Sequence, residues 1–282
     1  MSGLYTEVRG SGPTLVLVHG WGLNLRVWDG LAAALQDRVR IVALDLPGHG
    51  RSEWLPRRSS LEEQTAQIRE TISSITDSYF LLGWSLGGQF ALRLAAARTA
   101  GLHRLVLIAA TPRVPAGPDW PYGAPPERLA QQAASLRADY QRTVSDFLEL
   151  QVRGSAAAAA TLSQLRTALF AHGTQPVPNT THRGTGPEQR PENPGRRQLD
   201  ALACGLELLR NSDLRPLLAR ITLPTLVIAG QYDRVTMPAA SRALADALPN
   251  ASYVEIRRAA HAPFLSHLPQ LTALLMEFLQ QT

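Results

Sequence analysis

Lysine is missing from this chain of 282 residues, so all 28 of its positive side chains are arginine. Cysteine is nearly missing too. Cys204 stands alone, which excludes an intrachain disulfide and a cysteine-built metal site and fits a cytoplasmic setting. No apolar run approaches the ~20 residues that span a bilayer, and the opening MSGLYTEVRG does not read as a signal peptide, so no membrane role is expected. Charged residues make up only 18%, and the net charge of +5 comes without a dense basic tract interleaved with aromatics. That pattern argues against nucleic acid as a partner and leaves an acidic protein partner open. What is present is a hydrophobic content of 45% in a chain long enough for one sizeable core with an inserted subdomain.

Short apolar runs recur: TLVLVHG (14–20), RIVALDLPG (40–48), YFLLGW (79–84), RLVLIAA (104–110), TLVIAG (225–230) and SYVEI (252–256). They are continuous rather than alternating, as strands covered on both faces are. Helical patterns lie between them, at 60–75 and 86–99, so the chain reads as α/β with a mostly parallel central sheet. The alternation stops at about residue 112 and resumes at about 220. The expected organisation is therefore a core in two parts, 1–111 and 221–282, with a helical cap at 112–220. Helices are predicted around 126–138, 139–152, 156–171 and 198–210, with a long polar loop at 172–198 rich in Pro, Gly, Thr, Asn and Arg.

Gly83-Trp84-Ser85-Leu86-Gly87 fits G-x-S-x-G between a predicted strand and a predicted helix. A sharp turn there lifts the hydroxyl clear of the sheet, which suits a nucleophile. A serine hydroxyl needs a base, and the base needs an orienting acid; in this arrangement they follow in the order Ser, acid, His. Of the seven histidines, His19 and His49 precede the serine, His103 opens a strand, and His172 and His182 lie in the loop-rich stretch. His267 sits at the start of the last helix, where capping explains it, so His261 in RRAAHAPF is the candidate base. Asp213, Asp246 and Glu207 lie on or near helices, whereas Asp233 follows a strand and is the candidate acid. The backbone N–H groups of Leu86 and of Trp21, in the turn HGWG, are the candidate oxyanion donors. DLPGHGRS (45–52) reads as a structural turn, and no metal or cofactor site is expected.

HGWGLN..VW, DLPGHGRS, LGWSLGG and AAHAPFLSH together resemble the α/β-hydrolase superfamily. More narrowly, YQRTVSDFLELQVRG (140–154) and GLELLRNSDLR (205–215) are similar to cap segments of the BioH family, the pimeloyl-[acyl-carrier protein] methyl ester esterases of biotin synthesis. The resemblance covers roughly residues 1–170 and 199–282. It implies a cofactor-free serine esterase that removes methanol from the ω-ester of a pimeloyl chain carried by acyl carrier protein. Trp21, Ser85, Leu86 and His261 would then contact the reacting end, and Phe147, Leu148, Glu149, Leu150 and Gln151 would line the acyl channel. Tyr140, Val144, Phe147 and Gln151 form a helical stripe that fits such a wall or plain core packing. Arg142 and Arg153, extended by Arg137 and Arg166, would face the carrier protein, although Asp146 stands where a basic residue would be expected. The same triad also serves general short-chain carboxylesterases, lactonases and carbon–carbon bond hydrolases. A non-catalytic binding member of the fold would tend to lose a triad residue.

Overall fold

A computed structural model describes residues 3–171 and 194–280. Seven strands form one sheet: β1 (Thr6–Arg9), β2 (Thr14–Val18), β3 (Arg40–Leu44), β4 (Tyr79–Trp84), β5 (Leu102–Ile108), β6 (Thr225–Gly230) and β7 (Ala251–Ile256). Their spatial order is β1-β3-β2-β4-β5-β6-β7. Every pairing is parallel except β1 with β3, which runs antiparallel from Thr6 opposite Leu44 to Arg9 opposite Ile41. β1 is absent from the sequence reading for a physical reason. TEVR is short and only half-buried at a sheet edge, so it carries no continuous apolar run.

The helices are α1 (Asp29–Leu35), α2 (Leu61–Ser73), α3 (Leu86–Ala96), α4 (Pro126–Ala138), α5 (Tyr140–Val152), α6 (Ala158–Phe170), α7 (Pro194–Asn211), α8 (Pro238–Ala247), α9 (Pro263–Ser266) and α10 (Leu268–Gln280). Successive residues of a strand feed opposite faces of the sheet. Val16, Val18 and Leu81 pack with α2, α3 and α8, while Leu15, Leu17 and Leu82 pack with α1 and α10. Burial on both faces explains why the central strands read as unbroken apolar runs. Helices α4 to α7 all fall between β5 and β6. α7 starts at Pro194, earlier than expected, with proline in the first turn where its missing N–H costs nothing. The expected polar loop thus loses residues 194–198 to helix, and its remainder, 172–193, lies outside the described residues. No helix among the described residues is long and apolar enough to cross a membrane.

From β2 the chain runs outward to β3 and then returns across β2 to β4, so the order of connection reverses between β2 and β4. In open α/β sheets, ligands bind outside the carboxyl ends of the strands at such a reversal. The turn Gly20-Trp21 follows β2 and Ser85 follows β4, so both stand there.

The turn after β2 is held by a buried polar cluster. The Asp45 carboxylate accepts the Leu25 N–H at 2.7 Å and the Arg51 N–H at 2.8 Å. His19 Nε2 accepts the Leu46 N–H at 3.0 Å, so the ring proton is on Nδ1, which donates to the Gly20 carbonyl at 2.7 Å. The His49 ring lies 5.4 Å from that of His19. Burial lowers the pKa of both imidazoles from 6.5 to about 4, and in His49 the neighbouring ring adds to it. Both rings therefore stay neutral in the folded chain while the unfolded chain protonates them near pH 6.5.

Between those limits the unfolded state binds more protons, so stability is complete above pH 6.5 and falls as the pH drops towards 4. The slope contributed is up to about 1.4 kcal/mol per pH unit for each ring. Urea unfolding should therefore show a clearly lower midpoint at pH 5 than at pH 7.5, and NMR should find both rings unprotonated above pH 5. Either ring titrating near pH 6.5 in the folded protein would contradict this account.

Candidate active site

Ser85 stands between the last residue of β4 and the first of α3 with φ 55 and ψ −115, a conformation that side chains rarely adopt. Its N–H donates to the Ile108 carbonyl at 3.0 Å, and its carbonyl accepts the Gly88 N–H at 2.9 Å, so both neighbours hold the turn. The flanking glycines are required by contact. A Cβ on Gly87 would lie 2.3 Å from the Val18 carbonyl oxygen, and one on Gly83 would lie 2.5 Å from the carbonyl oxygen of Gly87. α3 can therefore press against β2 and β4 only where side chains are missing. The serine side chain is half-buried and lines a cavity.

Asp233 and His261 meet although 28 residues apart: His261 Nδ1 lies 2.8 Å from Asp233 Oδ2, and both residues are buried. A carboxylate only accepts, so Nδ1 carries the proton. Asp233 Oδ1 is held by the N–H groups of Val235 at 2.8 Å and Thr236 at 2.9 Å. The backbone of His261 is fixed at both ends. Its N–H donates to the Gln151 carbonyl at 3.0 Å, and its carbonyl accepts the Trp84 indole N–H at 2.9 Å. The Trp84 ring packs 5.4 Å from the imidazole. His261 Nε2 is buried and has no hydrogen-bond partner among the described residues. The other carboxylates weighed from sequence are elsewhere: Asp213 pairs with Arg215, and Glu207 with Arg210.

Leu86 opens α3, and the first N–H groups of a helix have no acceptor within it. The turn after β2 lies close by, since a Cβ on Gly20 would come within 3.2 Å of Ser85 Cβ. Trp21, the next residue, donates its indole N–H to the Leu202 carbonyl of α7 at 2.8 Å and meets Phe147 edge-on at 5.0 Å.

The cavity at Ser85 is narrow, about 50 Å³, and apolar for the most part. A volume of that size holds one or two waters. A larger cavity of about 680 Å³ between α2, α4 and α7 contains Cys204 but not Ser85, so size does not locate the chemistry here. The stretch 147–151 divides around its helix. Phe147 and Leu150 line the Ser85 cavity; Leu148 is buried on another face of α5, where Tyr140 and Val144 also lie. Glu149 points outward to Arg166, and Gln151 reaches the site through its carbonyl bond to His261. The stripe Tyr140, Val144, Phe147, Gln151 is thus not one continuous wall, because α5 packs between α4 and α6 and buries more than one face. Trp84 as the anchor of His261, and Arg128 and Gln132 in the cavity wall, were not singled out from sequence. Only the place of Trp84 beside the serine hinted at the first. Among the described residues no three His, Cys, Asp or Glu side chains converge as metal ligands.

The family model for the alpha/beta hydrolase fold matches residues 13–268. A pimeloyl-[acyl-carrier protein] methyl ester esterase of Xylella fastidiosa is 39% identical, over 98% of this chain and 98% of that one. A protein of the same name from Nitrosomonas europaea is 36% identical, over 97% of this chain and 98% of its own. Among solved structures, an esterase from Exiguobacterium antarcticum superposes with a TM-score of 0.81 at 20% identity, covering 99% of this chain and 96% of that one. The enol-lactonase of Burkholderia xenovorans does so with a TM-score of 0.77 at 23% identity, covering 99% and 96%. At those identities the structures speak to the fold, and the near-full-length relatives speak to the kind of enzyme. The chain belongs to the α/β hydrolases and, within them, to the carboxylic ester hydrolases of the pimeloyl-[acyl-carrier protein] methyl ester esterase family.

Proposed function

We propose that this enzyme hydrolyses the methyl ester of a pimeloyl chain carried by acyl carrier protein, a step of biotin synthesis, with Ser85 as nucleophile, His261 as base and Asp233 as its orienting acid. The observation that carries the reading is the buried imidazole whose Nδ1 is committed to Asp233 while Nε2 has no partner among the described residues. That is the tautomer a general base needs. The Ser85 oxygen attacks the ester carbonyl as its proton passes to His261 Nε2. The backbone N–H groups of Trp21 and Leu86 take the negative charge that develops on the carbonyl oxygen. Collapse breaks the C–OCH₃ bond, and His261 returns the proton to give methanol and an acyl-Ser85 ester. Water deprotonated by His261 then attacks that ester, releasing the free carboxylate and restoring Ser85.

Ser85→Ala should lower turnover of p-nitrophenyl acetate and of the methyl ester by several orders of magnitude while the melting temperature stays near that of the parent. Asp233→Asn should cost about 10³–10⁴-fold in kcat. The Asn oxygen can still accept from Val235 and Thr236, but its N–H₂ then faces His261 Nδ1 and forces the proton onto Nε2. Near-parental activity in either variant would remove that residue from its role. Rescue of a biotin-requiring strain that lacks its own methyl ester esterase tests the substrate, and failure to rescue by an enzyme active on small esters would favour a general carboxylesterase.

The carrier protein, being acidic, would meet α5. Arg142 is exposed near its start, 3.8 Å from Asp146, and Arg153 is exposed just past its end. Eleven residues of helical rise separate them by about 16 Å. Charges at an exposed rim govern encounter and salt dependence rather than chemistry. Arg142→Glu combined with Arg153→Glu should raise KM for the carrier-linked ester about tenfold, leave p-nitrophenyl acetate turnover unchanged, and blunt the effect of added salt. Equal losses on both substrates would mean damage to the helix instead of lost docking.

A further inference from the structure

The wall of the Ser85 cavity is apolar around Trp21, Val114, Leu129 and Phe147, with no carboxylate among the described residues that line it. Against that background two polar side chains of α4 stand out. Arg128 and Gln132 are one helical turn apart, on one face, and both line the cavity that Ser85 enters from the tip of β4. Arg128 is half-buried, and its Nη1 donates to the Arg234 carbonyl at 3.2 Å. A guanidinium has five N–H donors. This bond therefore fixes the group while leaving donors over, and Arg128 forms no ion pair among the described residues. A partly desolvated cation without a counter-charge is costly unless something else accepts from it.

We propose that Arg128 is a specificity-determining residue that hydrogen-bonds a carbonyl oxygen at the far end of the acyl chain while the ester carbonyl sits at Ser85. The inference rests on the proposed function and deepens it. The recognised chemistry is a second carbonyl separated from the ester by a run of methylenes, which lie along the apolar wall. Two sources supply such an oxygen: the thioester through which a carrier arm is attached, or the carboxylate of a free dicarboxylic acid monoester. The carbonyl oxygen of either can accept from the guanidinium, and Gln132 offers a second donor one turn away. A plain alkanoate ester of the same length offers nothing, and leaves the guanidinium facing hydrocarbon.

Three probes of equal chain length separate these cases: the methyl ester of pimeloyl N-acetylcysteamine thioester, monomethyl pimelate and methyl heptanoate. The parent enzyme should favour one or both of the first two over methyl heptanoate in kcat/KM. Arg128→Met keeps the apolar stem of the side chain to about the position of Nε but removes every donor. It should lower kcat/KM on the favoured probes about tenfold or more, chiefly through KM, and change methyl heptanoate less than twofold. Arg128→Lys, which keeps a charge but loses the fork, should fall between. A loss on the thioester, with or without the free acid, identifies the carrier-linked chain as the source; a loss confined to monomethyl pimelate identifies the free carboxylate.

A merely structural Arg128, tethering the loop after β6 through Arg234, would slow all three probes equally through kcat. That result, or no change on any probe, would overturn the proposal. So would a parent enzyme with no preference among the probes, which needs no variant to fold. Failure of the underlying esterase reading looks different, because Ser85→Ala would then leave the turnover of all three intact.

Discussion

The close approach of α3 to the ends of β2 and β4 is the constraint on which the site depends. With Gly87 against the Val18 carbonyl and Gly83 against Gly87, the chain has to reverse direction within one residue, and that residue is Ser85 at φ 55. A non-glycine residue held there costs on the order of 1–3 kcal/mol. The surroundings that impose it are among the most buried in the molecule, since ten of the eleven residues of α3 are buried. Flanking bonds to Ile108 and Gly88 leave the serine no relaxed alternative. The strain is therefore sustained by packing, and its product is a hydroxyl set at the reversal point of the sheet.

The proposed base is placed by a different means. His261 comes from the opposite end of the sequence and the far side of the sheet, after β7, and packing alone would fix neither its ring plane nor its tautomer. Three hydrogen bonds do that. Trp84, adjacent to the serine, binds its carbonyl; Gln151 of α5 binds its N–H; Asp233 binds Nδ1. Because Trp84 and Ser85 are consecutive, any shift of the elbow carries the anchor of His261 with it. Ser85 and His261 thus share a frame, a stronger coupling than two separate loops could provide. The bond to Gln151 extends the frame to the inserted helices.

Much of this was legible in the sequence. Five strands, β2 to β6, showed as apolar runs because both their faces are covered, and the G-x-S-x-G turn showed because only glycine tolerates the contacts at residues 83 and 87. Strand-end position singled out Asp233 and His261 from their competitors, and in the structure these two meet. What stayed illegible depends on partners distant in sequence. β1 shows itself only through its pairing with β3. The face of α5 that reaches the cavity is decided by α4 and α6, so its periodicity grouped Tyr140 and Val144 with Phe147 and passed over Leu150, which lines the cavity. Asp45 and His19 looked like parts of a plain turn, yet they form the buried support beneath Gly20.

α3 and the inserted helices α4 and α6 also differ in how firmly they are anchored. α3 buries ten residues, whereas α4 buries two, Leu129 and Leu136, and α6 four. Elements that bury little apolar surface open at lower cost than those that bury much. The cavity at Ser85 is smaller than an extended seven-carbon chain requires, so a substrate of that length must displace some of its lining. The walls that can yield belong to α4, α5 and α7, whereas Ser85 is held by its turn and the arrangement of Trp84, His261 and Asp233 cannot move without breaking the buried bonds that define it. Under the proposed function, chemistry falls to the rigid end of the sheet and chain recognition to the helices above it. Under this division the inserted helices can change while the frame at Ser85 stays as it is.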